Sequence, residues 1–187
     1  MHLTAGLYKG YKVEVPSGVK PTLSKVRESV FNVLNSLLEI DCPLFLDMFS
    51  GSGLMGMEAV SRGYKVISLE KNPKNFKTIK ENFKKIKGDY EVILVDCMKY
   101  LKKCDIKFDV IYIDPPWTDE NFKYTYEEIL ENAFLNLKEN GVIIFEQEKI
   151  KKLSHQEIEI FSEKLVREKV YGRCKLCFYK KTKPCLC

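Results

Sequence analysis

The stretch FLDMFSGSGLMG (45–56) decides the fold class of this chain of 187 residues. It begins with a short, mostly apolar run of the kind that forms a buried strand. Its glycines, Gly51, Gly53 and Gly56, have the spacing G-x-G-x-x-G, which is typical of a strand that turns tightly into a helix beside a bound ligand. A second strand-like run, KVISLE (65–70), follows and ends on Glu70. This order predicts the first β-α-β unit of an α/β domain.

Further apolar runs extend this pattern along the chain. EVILV (91–95), FDVIYID (108–114) and VIIFE (142–146) are continuous rather than alternating, as in parallel strands that are buried on both faces. Helices are predicted from apolar residues at spacings of three and four, or from a helix-like pattern, and they cover Ser24–Leu38, Pro73–Lys87, Cys97–Cys104 and Phe122–Leu137. Strands and helices therefore alternate, which predicts a doubly wound sheet.

The end of the chain departs from this alternation. Leu165–Tyr171 and Lys175–Lys181 are strand-like and are separated by only three residues, so an antiparallel hairpin is expected. We predict an α/β three-layer sandwich with a seven-stranded, mostly parallel sheet and an antiparallel last strand. Residues 1–22 are predicted to form an N-terminal arm or hairpin on one domain, 23–187.

Composition excludes several classes of protein. The hydrophobic fraction is 45% and the charged fraction 30%, which excludes a disordered or collagen-like chain. No apolar run approaches the ~20 residues that span a bilayer, and the N-terminus lacks the apolar segment of a secretory signal. We therefore expect a cytoplasmic protein with no membrane partner.

Cysteine usage favours neither disulfides nor a metal site. The chain has seven cysteines, an odd number with no export signal, so a disulfide framework is not expected. Cys174 and Cys177 lie in a predicted strand, where positions three apart face opposite sides. Cys185 and Cys187 end a lysine-rich tail. We expect no metal.

The net charge of +5 is unevenly distributed. Residues 1–27 hold five Lys and Arg against one acid, 71–103 hold ten against four, and 149–187 hold eleven against four, whereas 104–148 hold three against eleven. These blocks are consistent with a polyanionic partner. Ordinary solvated helix faces are the alternative reading.

The glycine loop with Glu70 fits a dinucleotide and S-adenosylmethionine equally, because in both an acid can hold two ribose hydroxyls. Asp47, near the end of the first strand, favours S-adenosylmethionine. A carboxylate there would repel a pyrophosphate and attract the ammonium of a methionine group. Asp96 follows the third strand, where it can accept from an adenine amino group or cap the next helix. The sequence leaves both roles open.

A second motif, Asp114-Pro115-Pro116-Trp117, ends the fourth strand. Two prolines make this loop stiff and poor in N–H donors. The Asp114 carboxylate and the Pro115 carbonyl can accept both hydrogens of an amino group, and Trp117 offers a face on which a base can stack. The motif predicts methylation of an exocyclic or amide NH₂ by in-line displacement, in a pocket that reaches only unpaired or flipped bases.

With both motifs located, the chain resembles the class I S-adenosylmethionine-dependent methyltransferases, and most of all the bacterial 16S rRNA guanine-N2 methyltransferases. The resemblance covers nearly the whole chain and includes GLYKG (6–10), KPTLSKVRESVFN (20–32), LDMFSGSG (46–53), EAVSRG (58–63), DPPW (114–117) and the closing Tyr171-Gly172 and Phe178-Tyr179. The segment 20–32 is the one most particular to this family. Two positions depart from the family pattern. Lys20 replaces the usual Arg, and Trp117 stands where Tyr is commoner.

The resemblance implies a Rossmann-like methyltransferase fold with S-adenosylmethionine as cofactor. It implies a cofactor site around Asp47, Gly51, Gly53, Glu70 and Asp96, to which we add the neighbouring Phe49, Lys71, Asn72 and Cys97. Asp114, Pro115, Pro116 and Trp117 would hold the target amine, and Lys9 and Arg27, with Trp117, would help to form the substrate site. The implied partner is 16S rRNA within an assembled or assembling small ribosomal subunit, and we expect a monomer.

Several other functions remain open at this point. Enzymes that methylate adenine N6 in RNA or DNA, or a glutamine amide in proteins, use a similar acid-or-Asn-Pro-Pro-aromatic motif. A nucleotide-dependent oxidoreductase would share the glycine loop, but Asp47 and the Asp114 motif count against it. A non-catalytic RNA-binding module would account for the basic blocks but not for Asp114.

Overall fold

The computed structural model describes residues 1–116, 122–148 and 164–182. Its strands are β1 (Leu44–Asp47), β2 (Lys65–Glu70), β3 (Tyr90–Leu94), β4 (Phe108–Ile113), β5 (Leu137–Glu148), β6 (Leu165–Tyr171) and β7 (Cys174–Lys180). Its helices are α1 (Ser24–Leu37), α2 (Leu54–Ser61), α3 (Pro73–Phe83), α4 (Cys97–Leu101) and α5 (Tyr126–Leu135).

The strands form one sheet in the order β3-β2-β1-β4-β5-β7-β6. Neighbours from β3 to β5 pair in parallel, whereas β7 runs antiparallel to both β5 and β6. The predicted fold class is therefore confirmed, including the reversed end of the sheet. The chain leaves β1 toward one edge of the sheet and returns to β4 on the other side of β1, which places a crevice between these two strands.

Both faces of the sheet are covered, as the continuous apolar strands predict. Phe45 of β1 points into a core formed with α1, α2 and α3, and its neighbour Leu46 points into a second core formed with α4 and α5. Because successive side chains of a strand point to opposite faces, neighbouring residues of β1 pack in two different cores.

Some element bounds differ from the prediction for local reasons. β5 begins at Leu137 rather than Val142, because Leu137 already pairs with Phe108 before a bulge shifts the register to Val110 and Val142. The predicted helix 122–137 begins only at Tyr126, after a capping box in which Thr125 and Glu128 bond each other's backbone.

The C-terminal hairpin separates its cysteines as predicted. Cys174 packs against the α1–α3 core, and Cys177 is buried in the α4–α5 core. Within the three described ranges, no group of three or more His, Cys, Asp or Glu side chains could hold a metal ion. Likewise, no helix there is long and apolar enough to cross a membrane. Cys185 and Cys187 lie outside the described residues.

The N-terminal segment is anchored to the body of the protein. A single antiparallel bridge between His2 and Lys12 closes its first loop, and Leu3 and Val13 are buried in the α1–α3 core. Gly6, with φ +79, lies against the end of α2, where an added Cβ would come within 1.8 Å of the Ser61 carbonyl oxygen. Only glycine therefore allows this close approach.

Candidate active site

An open pocket lies at the carboxyl ends of β1 and β4, and its volume of about 280 Å³ includes space open to solvent. It is lined by the glycine loop, by Asp47 and Asp114 at the ends of the two strands, and by Lys20 and Thr22 of the N-terminal segment. The sheet thus brings together Asp47 and Asp114, which are 67 positions apart in the sequence. Ligands bind at such a crossover point in open α/β sheets.

The three glycines of the loop are needed for different structural reasons. Gly51 and Gly53 have φ of +51 and +74, a region that L side chains rarely adopt. A Cβ at Gly53 would also lie 2.9 Å from Ile79. Gly56 has ordinary helical backbone, but a Cβ there would lie 2.5 Å from the Ser68 hydroxyl. It therefore lets α2 pack closely on the sheet.

Asp47 is a buried carboxyl group at the base of the pocket, with a side chain that accepts from the Gly56 N–H at 3.2 Å. Burial, and to a lesser degree the nearby Glu70, raise its pKa to about 7, although hydrogen bonds from Ser50 and Gly56 oppose the shift. A cation placed beside this group would favour its ionised form.

Glu70 orders the loop around the pocket. Its carboxylate accepts from the backbone N–H of Gly51 at 3.0 Å and of Asn72 at 2.7 Å. Burial raises its pKa, and these hydrogen bonds limit the rise. Asn72 in turn caps α3 by accepting from the N–H groups of Lys74 and Asn75, a structural role that the sequence analysis missed.

The next predicted cofactor residues follow β3. Asp96 caps α4 by accepting from the Lys99 N–H, which confirms the helix-capping alternative, and it also accepts from the Tyr124 hydroxyl at 3.0 Å. Cys97 is buried, and burial raises the pKa of its thiol to about 12, so the group is neutral at physiological pH.

An aromatic wall adjoins Asp96. The Phe49 and Phe122 rings meet edge to face with centroids 5.8 Å apart, and Phe122 meets Tyr124 in the same way at 5.7 Å. The Lys71 ammonium lies 6.0 Å from the centre of the Phe122 ring. Sequence reasoning missed Phe122 and Tyr124 because it assigned them only to a helix. Their alternation just before the Thr125 cap was the available signal.

Asp114 lies within a cluster of carboxyl groups. Burial, followed by the nearby Glu146 and Asp47, raises its pKa well above its usual range, and Lys20 opposes the shift. Tyr112, which lines the pocket, donates its hydroxyl to Glu146. Glu146 and Tyr112 are the residues of this cluster that sequence reasoning missed, since both read simply as parts of buried strands. Pro115 and Pro116 follow Asp114, and Trp117 lies outside the described residues.

The two remaining predicted substrate residues differ in position. Lys9 is exposed on the N-terminal segment. Arg27 is fully buried, where it pairs with Glu58 and donates to the carbonyl oxygens of Thr22 and His2. This corrects the prediction that Arg27 takes part in substrate binding, because a guanidinium enclosed in this way supports the fold instead.

Comparisons with known proteins now decide the family. A family model described as "Conserved hypothetical protein 95" matches residues 1–180. The chain belongs to this family. Relatives named as methyltransferases confirm the predicted resemblance to that class of enzyme. The Ribosomal RNA small subunit methyltransferase D of Buchnera aphidicola is 36% identical over 156 residues, which are 80% of this chain and 78% of the relative.

Two further proteins extend the similarity to nearly the full chain. The Ribosomal RNA small subunit methyltransferase D of Haemophilus influenzae is 33% identical over 181 residues. The match covers 92% of the present chain and 89% of the relative. A solved structure from Haemophilus influenzae, provisionally called a methylase, matches with a TM-score of 0.75 and 31% identity, and the match covers 98% and 99% of the two chains.

Proposed function

We propose that this protein transfers a methyl group from S-adenosylmethionine to the exocyclic N2 amine of a guanine in 16S rRNA. The observation that carries the proposal is that Asp47, the glycine loop and Asp114 line the same pocket. The relatives named as small-subunit rRNA methyltransferases support the same chemistry and the same class of RNA.

The residues at the end of β1 suit S-adenosylmethionine. The backbone at Gly51 approaches the pocket without a side chain, and Asp47 offers a buried carboxyl group to an amino-acid ammonium. Glu70 would hold the ribose and Asp96 the adenine, with Phe49, Lys71, Asn72 and Cys97 around them. When bound, the cofactor supplies a sulfonium methyl carbon that a neutral amine can attack, and the neutral thioether S-adenosylhomocysteine is the leaving group.

Asp114 and Pro115 would orient the amine on the other side of the pocket. Their acceptor oxygens bind the two amine hydrogens, so the nitrogen lone pair faces the methyl carbon. As the N–C bond forms and the S–C bond breaks, the nitrogen becomes positively charged and must lose a proton. A carboxylate that Glu146 and burial make more basic is suited to accept it. Pro116 stiffens this loop, and we propose that Trp117 stacks on the guanine.

The setting of the reaction forms part of the proposal. We infer that the substrate is 16S rRNA within an assembled or assembling small ribosomal subunit, and that the protein acts in the cytoplasm as a monomer. Residues 1–22 would form the N-terminal part of the substrate site, with Lys9 exposed to RNA, and residues 23–187 the catalytic domain.

Transfer of labelled methyl groups to small ribosomal subunits tests the function. The wild-type protein should label 16S rRNA, and digestion to nucleosides should place the label in N2-methylguanosine. Label in N6-methyladenosine or in protein would overturn the guanine assignment. Asp114→Ala should abolish transfer while cofactor binding, measured by calorimetry, is retained.

Asp105→Ala is the matched control. This carboxylate is exposed and precedes β4, so it lies at the amino end of that strand, whereas the pocket lies at the carboxyl end. It should leave transfer unchanged. Normal transfer by Asp114→Ala would contradict the role of this group. Binding of NADH in place of S-adenosylmethionine would instead favour the oxidoreductase.

A further inference from the structure

A row of lysines lies on one side of α3 and the turn that follows it. Lys74, Lys77, Lys80, Lys84 and Lys87 are spaced by three or four residues, and all five side chains are exposed. We call this set the lysine stripe. Like charges at these spacings repel each other and destabilise a helix, so the stripe is not explained by the stability of α3 itself.

The orientation of the stripe follows from the packing of α3. Ile79 and Phe83 are fully buried in the α1–α3 core, and the buried Asn82 side chain bonds the backbone N–H and carbonyl oxygen of Glu14. The helix is thereby held by its opposite face and cannot rotate. The lysine stripe must therefore face solvent along its whole length.

The nearby acids neutralise only part of this surface. Glu81 pairs with Lys84 at 2.7 Å, and Glu14 pairs with Lys85 at 3.1 Å. Of the ion pairs between described residues, none engages Lys74, Lys77 or Lys87. An excess of cations along one exposed face attracts a polyanion.

The N-terminal segment extends the stripe at its far end. The Tyr8 hydroxyl donates to the Lys87 carbonyl oxygen at 3.0 Å and accepts from the Lys87 N–H at 2.8 Å. This contact holds the turn with Lys9 and Lys12 beside Lys87. At its tip, Leu7 is 82% exposed.

The other end of the stripe adjoins the candidate active site. α3 begins at Pro73, three residues after Glu70, whose carboxylate accepts from the glycine loop. At 1.5 Å per residue, the helical part of the stripe, from Lys74 to the end of α3 at Phe83, spans roughly 14 Å. The stripe can therefore contact successive phosphates of an RNA strand that leads away from a nucleotide held in the pocket.

We propose that the lysine stripe and the turn of residues 6–12 form a docking surface for the sugar–phosphate backbone of RNA that flanks the target nucleotide. The inference rests on the proposed function, because it takes the substrate to be RNA. The surface recognises phosphate groups rather than bases, and it sets the position of the RNA relative to the pocket.

Paired charge reversals test this surface. Lys77→Glu/Lys80→Glu alters the middle of the stripe, and Lys102→Glu/Lys103→Glu is the matched control, since it changes two exposed lysines just after α4, on the other face of the sheet. The stripe variant should raise KM for small ribosomal subunits at least tenfold, with kcat and the Kd of S-adenosylmethionine unchanged. The control should change KM less than twofold.

The salt dependence of subunit binding provides a second readout. For Lys77→Gln/Lys80→Gln, the slope of log affinity against log salt should decrease by about two, close to one for each lost phosphate contact. Equal KM values for the stripe and control variants would overturn the docking surface, while wild-type methyl transfer would still support the proposed function.

Other outcomes separate the two proposals. If the stripe variant binds protein-free 16S rRNA normally and loses only binding to subunits, the surface contacts a ribosomal protein, and the RNA assignment is wrong. If the wild-type protein transfers no methyl group to RNA, the proposed function fails, and filter binding of subunits still tests the surface. Unchanged cofactor Kd and thermal unfolding show that each variant is folded.

Discussion

Arg27 and Glu58 form an ion pair with 3.4 Å between Nε and Oε2, and neither side chain is exposed to solvent. Glu58 also accepts from the backbone N–H groups of Thr4 and Ala5 and from Arg62. The pair therefore joins α1 and α2 to the N-terminal segment. Because α2 begins at the glycine loop, this buried network also supports the position of the candidate active site.

Glu58→Ala should lower the free energy of unfolding by about 3–5 kcal/mol, because it leaves the buried Arg27 charge without its partner. Urea denaturation measures the change. Glu81→Ala removes an exposed acid that pairs with Lys84 and should cause no resolvable change. If both variants unfold at the same urea concentration, the buried network does not stabilise the protein.

Gly56→Ala should destabilise the protein by about 1–3 kcal/mol, because its new Cβ would press against Ser68 and Phe83 and force α2 outward. The Ser68 hydroxyl is buried and has no hydrogen-bond partner among the described residues. Ser68→Ala alone should therefore be neutral or stabilising. In the Ser68→Ala background, Gly56→Ala should cost less, as thermal unfolding will show. Equal costs in both backgrounds would mean that Ser68 is not the obstacle.

Asp47 predicts the pH dependence of cofactor binding. Its folded pKa of about 7 lies above the ordinary value of 3.8, so between these values the folded protein holds a proton that the unfolded chain has lost. The stability of the ligand-free protein should therefore fall as pH rises from about 4 to 7. Binding of an ammonium group beside Asp47 should strengthen over the same range, since it favours the ionised carboxylate.

Calorimetry with S-adenosylhomocysteine, which carries the same amino acid group, checks this prediction. Affinity should rise up to about tenfold per pH unit below the pKa of Asp47 and level off above it. Asp47→Asn should bind more weakly and should lose this pH dependence. Glu70→Gln should move the midpoint to lower pH, because the Glu70 charge helps to raise the Asp47 pKa. A wild-type affinity that is constant from pH 5 to 8 would contradict the proposed contact.

Glu146→Gln should shift the acid limb of the kcat/KM profile to lower pH. Glu146 raises the pKa of Asp114 through its charge, so its removal should let Asp114 remain ionised in more acidic solution. Glu139→Gln, an acid at the other end of β5 that pairs with Lys181, is the control and should leave the profile unchanged. A shift of the limb to higher pH would show that Glu146 acts on Asp114 in another way.

Local patterns were enough to predict most of the fold. The apolar runs predicted the five parallel strands, because parallel strands buried on both faces need continuous Val, Ile and Phe. The antiparallel β6 and β7 were predicted from two strand-like runs separated by only three residues. The predicted start of β5 was too late in the sequence, because Lys138 to Asn140, which follow its first residue Leu137, are polar and exposed. They lie in the strand only because Leu137 pairs with Phe108 of β4, which is a contact between distant parts of the chain.

Within the candidate site, the sequence by itself determined the chemical motifs. Glycine spacing, an acid at the carboxyl end of each of β1 to β4, and the Asp-Pro-Pro turn are local features, since backbone conformation and hydrogen-bonding capacity belong to neighbouring residues. Tertiary structure alone decided which residues share an environment. It enclosed Arg27 with Glu58, and it placed Glu146 beside Asp114. Burial and electrostatic coupling depend on distances between chain segments, and those distances exist only once the sheet has assembled.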